Sequence, residues 1–111
     1  MTLDKRFDGL PTRELAGGLT LIDAKTHKSR RRGLGGLESL PPEQALQIPT
    51  SSVHTFSMKF PLDLIWLSRD GTVVRVDREI PRGKMRACFK AKSVIEVAAG
   101  HADAFVDALS N

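Results

Sequence analysis

The chain has 111 residues, 41% of them apolar and 27% charged, with no tyrosine and one cysteine. That length suits one domain with its own hydrophobic core, the composition argues against disorder, and a lone Cys88 excludes an intramolecular disulfide and a four-cysteine zinc site. The net charge of +4 is modest but unevenly placed.

Residues 1–17 mix Gly9, Pro11, Gly17 and charges without a period and read as an irregular N-terminal arm, leaving 18–111 as a single globular domain. "GLTLIDA" (18–24) alternates as a short strand does. In "THKSRRRGLGGL", Thr26 is placed to cap one or two basic helical turns that Gly33, Gly35 and Gly36 would end. Pro41 and Pro42 force a turn or an extended stretch, and "ALQIP" is a brief strand. Strands are expected near 53–60, 63–68 and 72–78, with Pro61 breaking the first pair. Asp70-Gly71 forms the hairpin between the second pair, because glycine accepts the positive φ of a tight turn. "SVIEVA" (93–98) is a further strand, and Ala102, Phe105, Val106 and Leu109 recur at helical spacing. The expected fold is therefore α+β: a small β-rich domain with a curved, mostly antiparallel sheet or open barrel of five to six strands and one or two short helices.

In this order and spacing, "RRRGLGGLESLPPEQALQIP", "SVHTFSMKFPLDLIWLSRDGTVVRV" and "SVIEVAAG" resemble the bacterial domain-of-unknown-function-192 family over about residues 18–100. Arg30, Gly33 and Leu34 match its first segment; His54, Thr55, Phe56 and Met58 its second. Pro61 and Asp63 match the step that follows, Asp70 and Gly71 the hairpin, and Glu96 and Gly100 the last segment. The resemblance implies a small, largely β domain and carries no established activity. The chain departs from the pattern at "QIPTSSVHT", where similar sequences often have Pro-Cys, and at the C-terminus, which lacks the usual Gly-Asp.

Within 53–60, strand alternation groups His54 with Phe56, Met58 and Phe60, so His54 is expected to face the core with its ring nitrogens hydrogen-bonded. The alternative sets it at the rim of an apolar pocket formed with Thr55, Met58, Asp63, Trp66 and Glu96. Asp63 is expected to bond backbone donors at the Phe60-Pro61-Leu62 corner. Glu96, between Ile95 and Val97, faces away from them toward solvent or the basic loop, with Arg75 or Arg78 as cross-strand partners. Trp66 and Cys88 read as packing residues. Among His27, His54, His101, Asp63 and Glu96 no pair has a metal-ligand spacing, so no metal or other cofactor is expected. Ser51 and Ser52 lack a nucleophile elbow, and "GLGG" lacks the lysine of a phosphate loop.

Two acid-free basic runs supply candidate anion contacts: Lys25, Lys28, Arg30, Arg31 and Arg32 in 25–32, and Arg82, Lys84, Arg86, Lys90 and Lys92 in 82–92. Such runs attract phosphates, anionic membrane surfaces or acidic partners. The reading that follows is a non-enzymatic accessory domain, monomeric and cytoplasmic, without a transmembrane or signal segment, that binds a small ligand or a protein. A small acid-base enzyme using His54 with Asp63 or Glu96 is the first alternative. Nucleic-acid binding through the two basic runs is the second.

Overall fold

In the computed structural model, which describes residues 4–25 and 34–110, a 3-10 turn at Lys5–Phe7 precedes eight strands and one helix among the described residues. The strands are β1 (Thr12–Leu15), β2 (Leu19–Asp23), β3 (Gln44–Ile48), β4 (Ser52–His54), β5 (Leu62–Leu67), β6 (Val73–Ile80), β7 (Met85–Ala87) and β8 (Ser93–Ala98). The helix, α1, spans Ala102–Leu109. Six strands form one open sheet in the order β1-β2-β3-β8-β5-β6, and β4 pairs with β7 in a separate two-stranded ribbon. Among the described residues only the β2–β3 pair is parallel. A parallel neighbour needs a crossover rather than a hairpin, and the long 24–43 connection provides it.

The two apolar runs "LDLIWL" and "SVIEVA" form β5 and β8 near the middle of the sheet, where both faces are covered. On one face Ile65, Leu67, Ile95 and Val97 pack with Leu21, Ala45 and the inner side of α1, chiefly Ala102 and Phe105. On the other, Leu62, Leu64, Trp66 and Val94 pack with Ile22, Leu46 and Ile48 beneath Phe7, Leu34, Leu37, Leu40, Met58 and Cys88. The ribbon adds Val53 to this second layer.

The sheet with its C-terminal helix has the expected β-rich architecture, and two local features differ. Thr12–Leu15 is a strand, paired with β2, where an irregular arm was expected. The strand expected over 53–60 ends at His54: Thr55 N–H still donates to Lys84 O in ladder register (2.8 Å), but Thr55 O accepts from Met58 N–H at 3.2 Å as the chain turns. The short basic helix expected before Gly33 lies outside the described residues. The Asp70-Gly71 turn forms as expected: Gly71 has φ +88, and the Asp70 carboxylate accepts from Thr72 N–H at 3.1 Å and from the Ser68 hydroxyl.

Candidate functional site

The turn after His54 decides which side chains reach the surface. Cross-strand pairs His54↔Met85 and Ser52↔Ala87 occupy one face of the ribbon, and Val53↔Arg86 the other. Val53 packs on the core, so the His54 face looks outward. His54 is exposed, and its ring stacks on Phe56 with centroids 4.7 Å apart and an interplanar angle of 22°. The expectation of a core histidine sharing a face with Met58 and Phe60 is corrected: Met58 enters the core, while Phe56 remains 50% exposed and Met85 67%.

At the other end of the ribbon Cys88 is buried as expected, its N–H bound to Ser51 O at 2.9 Å. The next residue, Phe89, occupies a turn closed by Ala91 N–H to Cys88 O and is 93% exposed. Arg82, Lys84, Lys90 and Lys92 are exposed and lie within three residues of Met85 or Phe89 along the chain. None of the four pairs with an acid among the described residues. Arg82 Nε donates to Phe56 O at 3.1 Å. Arg86, on the inward side, is partly buried and its Nη1 donates to Met85 O at 2.8 Å. Lys28, Arg30, Arg31 and Arg32 lie outside the described residues.

The other expected pocket residues are not gathered into one site. Thr55 is buried and acts as a clamp: its hydroxyl donates to Pro81 O at 2.6 Å and accepts Lys84 N–H at 3.0 Å, fixing the turn between β6 and β7. Trp66 is fully buried; its Nε1–H donates to Asp77 at 3.0 Å, and the Arg75 guanidinium lies over its ring, 5.5 Å from the centroid.

Asp63 and Glu96 are buried carboxyls on the adjacent strands β5 and β8, and they point to opposite faces. In register, Asp63 is opposite Val97 and Leu64 is opposite Glu96. Asp63 faces the helix side, where one oxygen accepts Glu79 N–H at 2.9 Å and the other accepts Gly100 N–H at 3.0 Å and Ala102 N–H at 3.2 Å. Its donors are therefore the β6 bulge and the start of α1, not the expected Phe60-Pro61-Leu62 corner. Such a charge-assisted set fixes structure and leaves little free acceptor capacity.

Glu96 faces the other layer, between Leu46 and Leu64. It is 5% exposed and has no hydrogen-bond or ionic partner among the described residues. The expected pairing with Arg75 or Arg78 does not occur: Arg75 pairs with Asp77 and Arg78 with Asp103. Burial without a partner disfavours the ionised form and raises the Glu96 carboxyl from its ordinary 4.5 to about 7. Gln44, also buried, shares this face with Leu46 two residues away.

Sequence reasoning missed Met85, Phe89 and Gln44. For Phe89 a signal was present: an aromatic residue in an acid-free run with no period that could bury it. Gln44 gave less, since a polar residue at a strand start is commonplace. No three His, Cys, Asp or Glu side chains converge as a metal site among the described residues.

The fold is thus a mixed sheet backed by one helix and overlaid by a basic, apolar-tipped ribbon. The chain belongs to the DUF192 family, described as "Uncharacterized ACR", whose model matches residues 12–106. No curated protein matches the chain. Two solved structures share the fold. One is a candidate transcription regulator from Sinorhizobium meliloti 1021, at 18% identity and TM-score 0.70, covering 85% of this chain and 82% of its own. The other is a protein of unknown function from Novosphingobium aromaticivorans DSM 12444, at 15% identity and TM-score 0.67, covering 94% and 92%.

Proposed function

We propose that this chain is a non-catalytic binding domain whose working surface is the β4–β7 ribbon and whose partner is anionic. The observation that carries this reading is the coincidence of four exposed cations, without acidic partners among the described residues, with the exposed Phe56, Met85 and Phe89. Isolated surface apolar residues are ordinary; several together, rimmed by one sign of charge, mark an interaction surface. Acid-base chemistry is less well supported. His54 stacks on Phe56 at the surface, Asp63 is occupied by three backbone donors on the helix side, and Glu96 lies in the opposite layer.

The test is an NMR titration of the whole chain with heparin as a generic polyanion. Shifts confined to amides of residues 52–56 and 82–92, with an affinity that falls as salt is added, are expected. No binding, or shifts spread over the β1–β2 side, would overturn the reading.

A further inference from the structure

We propose that the anionic partner is a lipid surface, onto which the ribbon docks by seating Phe89, Met85 and Phe56 among the acyl chains while Arg82, Lys84, Lys90 and Lys92 meet the headgroup phosphates. This rests on the ribbon being the binding surface and names what it binds.

The shape of the apolar groups favours lipid over the other anionic macromolecules. Phe89 is 93% exposed at the tip of a four-residue turn whose base is held by Cys88, itself buried and bonded to Ser51. The tip is thus free of packing while its root is fixed. Met85 is a flexible thioether without a planar face, and the His54 and Phe56 rings cover one another at 4.7 Å. A nucleic-acid stacking platform needs open flat faces along the strand. An acyl boundary accepts apolar groups of any shape, and aromatic residues settle where it meets the headgroups.

Charge acts in the same direction. Lys90 and Lys92 follow the Phe89 tip, while Arg82 and Lys84 lie at the turn leading into Met85. Each cation held near an anionic bilayer contributes about a fivefold gain in partitioning, so four together supply attraction that neutral lipid lacks. Neither signal is strong alone, and surface attachment generally takes two. Among the described residues no helix is long and apolar enough to cross a membrane, and the proposed attachment is confined to the ribbon.

The experiment is co-sedimentation of the whole chain with vesicles of phosphatidylcholine alone or mixed with phosphatidylglycerol, run beside a fluorescent single-stranded oligonucleotide and heparin. Binding to the phosphatidylglycerol vesicles, lost in high salt and absent with phosphatidylcholine alone, is expected. Phe89→Ala should weaken it about tenfold, the effect of returning one large apolar side chain to water. Lys90→Glu with Lys92→Glu should weaken it about 25-fold or more. Both sites are exposed, and an unchanged unfolding midpoint would show the variants folded. Oligonucleotide binding without vesicle binding would overturn the lipid proposal and leave the anionic surface standing. Failure with vesicles, oligonucleotide and heparin alike would overturn both. Vesicle binding undiminished in both variants would remove the ribbon as the docking site.

Discussion

His54 and Met58 lie four positions apart on what reads as one alternating stretch, yet one is at the surface and the other in the core. The alternation is a strand pattern only as far as the strand continues, and it stops when Thr55 turns its hydrogen bonds toward Pro81 and Lys84. Beyond that point, side-chain direction is set by the turn. Met58→Ala should therefore cost about 2–5 kcal/mol in urea denaturation, as loss of a packed core side chain does. His54→Ala removes a surface ring contact and should cost less than about 1 kcal/mol. Equal effects from the two substitutions would contradict this assignment. The residue types at this site were legible, whereas their exposure was not, because the turn that ends the period is held in part by a contact to a segment 26 residues away.

Among the elements, β5, β6, β8 and α1 were readable because local pattern alone defines them: apolar runs of strand length, an Asp-Gly hairpin, a helical stripe. Their arrangement was not. Insertion of β8 between β3 and β5, and the parallel pairing of β2 with β3, arise from contacts between distant segments that leave no mark in any one window. Asp63 is the joint at which several of these elements meet. It accepts from the β6 bulge at Glu79, a non-glycine residue at φ +54, and from Gly100 and Ala102 at the start of α1, where His101 provides no side-chain cap. A carboxylate there also suits the positive end of the helix. Asp63→Asn turns one acceptor into a donor facing an N–H group, leaving buried backbone donors unsatisfied at a cost of about 3 kcal/mol. Hydrogen exchange should show protection falling in α1 and around Glu79 while β2 and β3 keep theirs. Uniform loss across the sheet would mean that Asp63 contributes only to general packing.

For the whole molecule, the two faces of the sheet differ in how each handles its buried charge. The helix side surrounds Asp63 with donors; the ribbon side leaves Glu96 among Leu46, Leu64 and Val94. Arg75 and Asp77, also on that face, pair with each other at 2.9 Å on the edge strand. Glu96 therefore holds its proton more tightly folded, at about 7, than unfolded, near 4.5. Between those values the native state binds more protons than the unfolded chain, so stability must fall as pH rises through that window and level off above it. A raised carboxyl thus has the opposite sign to the usual salt-bridged one. The displacement corresponds to about 3 kcal/mol between acidic and mildly alkaline solution. Glu96→Gln has no proton to lose, and its urea midpoints should lack this fall, matching wild type near about pH 5 and exceeding it near about pH 8. A variant with the same pH slope as wild type would show that Glu96 is ionised and solvated in the native state. The ribbon packs on this same layer through Val53, with Cys88 just beyond β7, so the charge that Glu96 gains at higher pH arises in the layer that carries the proposed binding surface.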